Sequence, residues 1–203
     1  MPQAPAIIDV LSERPDMHEN VLSEIAHHNP GSINYSIKRF LKPADWMRED
    51  TGLINYHYFS AAPHKSLLEL RFCVTGQVYC RESLDDCKKC KAHAAYNCHE
   101  KVASIDVLSF VFTPGVLTQL IKPRLSSDTL ADNVLSFRHK TSFTKPLPIC
   151  NKTRSVLEGL LNHNYTDTLE NIYVNAQTQM LLLYGLDCML GEKEIDILTC
   201  KFL

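Results

Sequence analysis

The alternation of apolar and polar residues between Ser66 and Gly76 is the feature that most constrains the fold of this chain. Because successive side chains of a β-strand point to opposite faces, this alternation predicts a strand with one face in a hydrophobic core. The polar positions of the segment SLLELRFCVTG would face away from that core. The predicted core face carries Leu68, Leu70, Phe72 and Val74.

Further segments with strand-like composition follow one another at short spacing. Gly76 predicts a tight connection within this series, because glycine adopts turn conformations without steric cost. Short strands separated by turn residues are typical of an antiparallel sandwich or barrel. The segments are INYSIKRFLKP (33–43), LINYHYFS (53–60), QVYC (77–80), SIDVLSFVFT (104–113) and VLSFRHKTSFT (134–144).

Two short helices are predicted outside these strands. Apolar residues recur at helical spacing in residues 16–27, which indicates a helical extension near the N-terminus. The segment PGVLTQLI predicts a helical turn with Pro114 in its first position, where proline is well tolerated.

The last quarter of the chain is predicted to be helical. Residues 152–163 follow Asn151, a plausible N-cap, and residues 168–190 carry apolar side chains every three or four positions. The loop between them is short, so the two helices are expected to pack antiparallel. The predicted fold class is therefore α+β: an antiparallel β-barrel or sandwich followed by a C-terminal antiparallel helix pair.

The second of these helices is apolar on nearly every side at residues 180–183. Such a helix needs cover from its own domain on one side and from another helix or chain on the other. We therefore predict a homodimer formed through the C-terminal helices. The predicted dimerisation residues are Leu169, Ile172, Tyr173, Ala176, Met180, Leu183 and Tyr184.

Length and charge exclude several classes of function. A chain of 203 residues with 45% hydrophobic content can bury one substantial core. A net charge of −2 without blocks of like charge argues against a nucleic-acid surface within these residues. No signal peptide and no membrane-length apolar run is readable, so the expected location is cytoplasmic, without a membrane partner.

A cysteine-rich segment, YCRESLDDCKKCKAHAAYNCHE, points to metal binding. Thiolate and imidazole ligands suit zinc, which takes four of them in a tetrahedral structural site. Only one pair has C-x2-C spacing, so plain thiols or a redox pair are the alternatives. The predicted ligands are Cys80, Cys87 and Cys90 with Cys98, His93 or His99 as the fourth.

The identity of the fourth ligand is left undecided for a geometric reason. In one unbroken helix Cys87 and Cys98 would lie about 16 Å apart, far beyond the reach of zinc–sulfur bonds of about 2.3 Å. Either the segment bends back near Asn97, or a histidine replaces Cys98. Cys73 and Cys188 lie in apolar runs and are interpreted as small buried residues.

No catalytic constellation stands out. His64, Glu69 and Gly76 match the later half of the metal-binding pattern of cupin barrels, but Ala62 and Tyr56 stand where that pattern needs a histidine and a glycine. The sequence therefore favours a binding protein over an enzyme. A metal-dependent cupin enzyme and a zinc-stapled protein-interaction module remain as alternative functions.

The order of segments resembles a known family. LLELRFCVTG, FVFTPGVLTQLI and KPLPICNKTRSVLEGLLNHNYTDTLENIYVNAQTQMLLLYGLDCM are similar to the N-terminal sensory and dimerisation part of AraC-type transcription regulators, over roughly residues 53–190. The resemblance implies a cupin-like barrel that binds a small-molecule or protein effector, followed by helices that pair two subunits. The cysteine-rich insertion is not general in that family.

The resemblance also implies a domain organisation. Residues 1–150 would form the sensory barrel, with the N-terminal helical extension and the cysteine-rich insertion at about 80–99. Residues 151–190 would form the helical dimerisation layer. Residues 191–203 would begin a linker to a helix-turn-helix DNA-binding part that is not in this chain, so that contact with DNA would need that part.

Overall fold

The computed structural model describes residues 21–28, 33–79, 101–121 and 129–190. It is an α+β fold in which an antiparallel sheet is followed by C-terminal helices, as the sequence predicts. The strands are β1 (Val21–His27), β2 (Asn34–Leu41), β3 (Thr51–His57), β4 (Leu67–Tyr79), β5 (Lys101–Phe112) and β6 (Phe143–Leu147). The helices are α1 (Pro114–Leu120), α2 (Leu130–Leu135), α3 (Asn151–Asn162) and α4 (Asp167–Leu190), with a 3-10 turn at Pro63–Lys65.

The six described strands form one open sheet in the order β1-β2-β5-β4-β3-β6. All neighbours are antiparallel, and the longest ladder joins β4 to β5, from Leu68 opposite Phe112 to Tyr79 opposite Lys101. β1 and β6 are the two edges, so among these strands the predicted closure into a barrel does not occur. Pro146 of β6 lacks an N–H group, and proline in sheets is largely confined to such edges.

One face of the sheet forms the main core. The predicted alternation of β4 is confirmed, because Leu68, Leu70, Phe72 and Val74 are all buried. Their partners on β5 and β3 continue the same face, and α4 packs over it, with Gly185 against Leu70 and Leu147. The opposite face carries a smaller apolar cluster of Phe40, Trp46, Cys73 and Ile105.

Gly76 does not form the predicted turn. β4 runs through it, and Gly76 lies opposite Ser104 of β5. A Cβ atom at position 76 would lie 2.7 Å from Oδ2 of Asp106, which is closer than real contacts allow. The glycine therefore makes room for a buried carboxylate rather than turning the chain.

The predicted N-terminal helix is wrong for its described part, since residues 21–27 form the edge strand β1. The same apolar residues serve a strand because tertiary pairing outweighs local propensity. Ile25 lies opposite Ile37, Glu24 forms an ion pair with Lys38 at 3.0 Å, and the ring of His27 stacks on that of Tyr35. Residues 16–20 lie outside the described part.

The strand predicted for residues 134–144 is mostly wrong. Thr129 caps α2 by accepting a hydrogen bond from the backbone N–H of Asp132, so Val134 and Leu135 are helical. Phe137 has a φ of 52°, and this left-handed residue ends the helix. Only Phe143 and Thr144 belong to a strand, β6.

The helices that follow agree with the sequence pattern. Pro114 is the first residue of α1, as predicted. Asn151 is the first residue of α3 rather than its cap, a position that Cys150 occupies. The loop of residues 163–166 joins α3 to α4. A Cβ atom added at position 159 would lie 2.6 Å from the hydroxyl oxygen of Tyr173. The two helices thus meet closely where α3 has no side chain.

Candidate functional site

A cavity of about 480 Å³ lies between the sheet and α3. This volume is typical of small-molecule sites. Its lining comes from the end of β2, the later part of β4, the start of β5 and α3, and it includes the pair formed by Gln77 and Ala103. The residues that carry its chemistry are Arg39, Lys42, Gly76, Asp106, Arg154 and Glu158.

Asp106 forms the floor of the cavity and is 2% exposed. The hydroxyl of Ser104 donates to its Oδ2 over 3.2 Å, and its Oδ1 lies 3.8 Å from Nε of Arg39. That separation is beyond hydrogen-bond distance, so neither of these buried atoms has a hydrogen-bond partner among the residues that the structure describes. Gly76 supplies the space that the carboxylate occupies.

Arg39 connects the sheet to α3. Its Nη2 donates to the carbonyl oxygen of Leu161 in the last turn of that helix, while its Nε faces Asp106. A cation at a helix C-terminus interacts favourably with the carbonyl groups that have no partner within the helix. The position of the Arg39 side chain therefore links the cavity floor to the end of α3.

A second ion pair holds the start of α3 beside the cavity. Nη1 of Arg154 lies 2.7 Å from Oδ2 of Asp50. Oδ1 of Asp50 accepts from the backbone N–H and the hydroxyl of Thr75, at 2.7 and 2.9 Å. Asp50 thus ties α3 to β4, and Arg154 keeps further N–H groups for another acceptor.

Burial raises the pKa of the Asp106 carboxyl, although the charge of Arg39 and the hydrogen bond from Ser104 act in the opposite direction. The folded protein therefore keeps this proton to higher pH than the unfolded chain. The protonated carboxyl contributes stability below its ordinary pKa of 3.8. That contribution is lost as the pH rises from 3.8 through the raised pKa of the folded protein.

We expect Asp106→Asn to remove this loss, because an amide does not ionise. The variant should become more stable relative to wild type as pH rises from about 4 to about 8, so its free energy of unfolding minus that of wild type should increase. Urea denaturation across that range measures the difference. Glu158→Gln, which removes an exposed carboxylate of the same cavity, is the control. A constant or declining difference for Asp106→Asn would contradict this account.

The other face of the sheet carries a separate polar network around Glu69. Its Oε1 accepts from Arg71 and Ser109 at 2.7 Å each, and its Oε2 accepts from Asn55 at 3.0 Å. His64, the partner that the cupin pattern suggested, is exposed in the 3-10 turn. Within the part of the chain that the structure describes, no three His, Cys, Asp or Glu side chains are grouped to hold a metal ion.

The predicted zinc ligands Cys80, Cys87, Cys90, Cys98, His93 and His99 lie outside the described residues. Three other cysteines are described, and none of them forms a disulfide bond within the described residues. Cys73 is buried as predicted, and burial raises the pKa of its thiol to about 12. Cys150 is buried and Cys188 half-buried.

Zinc binding by the cysteine-rich segment remains a prediction. We expect the purified chain to hold about one zinc ion, and Cys87→Ser to lose most of it, because three ligands hold a structural ion poorly. Elemental analysis after zinc supplementation and dialysis measures the content. Cys188→Ala is the matched control and should retain the metal. Absence of zinc from the wild type, or equal loss in both variants, would contradict the prediction.

The predicted dimerisation residues fall into two groups on α4. Tyr173 and Tyr184 are half-buried against their own domain: Tyr173 contacts the rings of His163 and Tyr165, and Tyr184 lies near Phe72. The other five form an exposed apolar stripe on the helix. This α4 stripe consists of Leu169 (62% exposed), Ile172 (61%), Ala176, Met180 (39%) and Leu183 (57%).

Arg39, Asp106 and Arg154 are not among the site residues that the sequence predicts. A signal was present at Asp106, which shares the alternation of Leu108 and Phe110 in SIDVLSF and so is an acid on a core face. Arg39 gives the same signal, because it shares the alternation of Ile33, Tyr35 and Ile37. Arg154 gives none, because a charged residue in a first helical turn is usually solvated.

No protein-family model, curated protein or solved structure matches the chain. None of the helices in the described ranges is long and apolar enough to cross a membrane.

Proposed function

We propose that this chain is the effector-sensing and dimerisation part of a cytoplasmic transcription regulator of the AraC type. Two copies associate through α4, an effector occupies the cavity beneath α3, and DNA is bound only by a part outside this chain. In this proposal the six-stranded sheet corresponds to the cupin-like part of such regulators. The observation that carries the proposal is the α4 stripe.

The stripe is suited to contact with another protein surface. The opposite side of α4 already packs in the main core through Val174, Leu181 and Leu182. From residue 171 to residue 186 the helix carries no Asp, Glu, Lys or Arg. Charged residues are depleted at the centres of protein interfaces, and a charge-free, exposed apolar surface is costly to leave in water.

The spacing of the stripe favours a second copy of the same chain. Ile172 and Met180 each lie four residues from Ala176, and Leu169 and Leu183 each lie seven residues from it. A two-fold axis through Ala176 would therefore superpose the stripe on itself with the helices antiparallel. Two-fold interfaces use the same patch on both subunits, and a small central residue lets two helices approach closely.

The position of α3 supports a sensing role. This helix lines the cavity through Leu157 and Leu161, is held by Arg39 at its end, and meets α4 at Gly159 and Tyr173. An effector that prefers one position of α3 would thereby favour one position of α4, since a ligand shifts an equilibrium by its differential affinity for the two states.

Sedimentation velocity tests the dimer directly. We expect a species of about twice the 23.1 kDa chain mass that dissociates reversibly on dilution over about a hundredfold range of concentration. A monomer at the highest concentration would refute the proposal. The regulator class has its own test, because a pair of helix-turn-helix patterns is expected in the reading frame after Leu203.

A further inference from the structure

The acidic groups of the cavity are poorly placed to bind a cationic ligand. Asp106 is almost fully buried, its Oδ2 accepts from Ser104, and its Oδ1 is directed at Arg39. Burial also favours its neutral form. Glu158 is exposed on α3, where water screens its charge. The floor of the cavity therefore presents little accessible negative charge.

The basic groups have unused donors. Lys42 follows β2 and is half-buried at the cavity, and its ammonium group has no ion pair or hydrogen bond among the described residues. Arg154 gives one N–H group to Asp50, and Arg39 gives one to Leu161. A guanidinium carries five N–H donors, so both arginines can bind a further acceptor.

We propose that this cavity binds a small organic anion through a carboxylate or phosphate group held by Lys42, Arg39 and Arg154. The apolar part of the ligand lies against Val74, Leu157 and Leu161. Arginine and lysine bind such oxyanions by charge-assisted hydrogen bonds, which are stronger than those between neutral groups. This inference rests on the proposed function, in which the cavity is the effector site, and adds the chemical class of the effector.

Thermal unfolding with matched pairs of compounds tests the ligand class. The pairs are succinate with succinamide and glycerol phosphate with glycerol, with putrescine as a cation, all at constant ionic strength. We expect at least one anion to raise the melting temperature as its concentration rises, because a ligand that binds only the folded state stabilises it. The two anions distinguish a carboxylate from a phosphate. The uncharged compounds and putrescine should have no effect.

A pair of lysine variants locates the site. Lys42→Gln should weaken binding of the stabilising anion about tenfold, as expected for loss of one charge-assisted hydrogen bond. Lys38→Gln is the matched control: it removes the same charge from β2, but Lys38 does not line the cavity and is paired with Glu24. The control should bind like wild type.

The inference is overturned if no anion in the panel stabilises the chain, or if both lysine variants weaken binding equally. If only an uncharged compound or putrescine stabilises the chain, the ligand is not an anion and the inference is also overturned. The cavity would then still be an effector site. Sedimentation of the ligand-free chain reports the dimer independently. Failure of the ligand class is therefore distinguishable from failure of the proposed function.

Discussion

Replacement of Leu183 by glutamate is expected to raise the dissociation constant of the dimer at least about a hundredfold. Burial of a leucine contributes about 1.5–3 kcal/mol, and an unpaired buried carboxylate adds a desolvation cost. The two-fold arrangement places the change at two points of one interface, so both costs count twice. Sedimentation velocity against protein concentration measures the constant.

The matched control is Asn171→Glu, which adds the same charge to an exposed position of α4 off the stripe. At 3.6 residues per turn, position 171 lies about 140° around the helix from Ala176. This control should dimerise like wild type. Equal loss of dimer in both variants would mean that general repulsion, rather than the stripe, controls association.

A charge pair tests the antiparallel arrangement. In the proposed dimer Leu169 of one copy faces Leu183 of the partner subunit. Leu169→Lys combined with Leu183→Glu should therefore recover association that each change alone removes, because Lys and Glu meet at both ends of the interface. A parallel pair would bring like charges together, and the double variant would stay monomeric.

Phe72→Ala is expected to lower the free energy of unfolding by about 3–5 kcal/mol. Phe72 is 1% exposed, and its ring packs edge-on against Phe110 at 6.5 Å between centroids. The ring also fills the space above Gly52, where a Cβ would lie 2.9 Å from a ring carbon. Removal of the ring leaves a cavity that the sheet fills only in part. Urea denaturation measures the loss.

The control for this core variant is Phe59→Ala, because Phe59 is 48% exposed. Its removal should cost less than about 0.5 kcal/mol, as is usual for surface positions. Both variants are best compared in the Leu183→Glu background, since dimerisation would otherwise add a concentration-dependent term to the stability. Equal losses for the two phenylalanines would contradict the assigned core.

Much of the secondary structure could be predicted from periodicity. The alternation of β4 and the three-four spacing of α4 reflect burial of one side of each element, and burial leaves a repeating pattern in the residues. The pattern of residues 21–27 is compatible with a helix or a strand, and pairing with β2 makes this segment a strand. The strand prediction for residues 134–144 is mostly wrong because the cap at Thr129 and the left-handed Phe137 leave no periodic signal.

The candidate site was less predictable. Arg39 and Asp106 belong to different strands, and Arg154 belongs to a helix more than a hundred residues from its partner Asp50. No local spacing connects these residues, because the sheet register and the packing of α3 bring them together. The local signals are an acid on the core face of β5 and an arginine on the core face of β2. Each indicates a buried charge without naming its partner.

The sequence by itself determined which residues of β4 face the core and that α4 is apolar on nearly every side at residues 180–183, because both follow from side-chain periodicity along one element. Tertiary structure decided that the described strands form an open sheet, that Gly76 accommodates Asp106, and that a cavity with basic groups lies beneath α3. These features depend on which distant elements pair and pack, and that choice is a property of the whole core rather than of any segment.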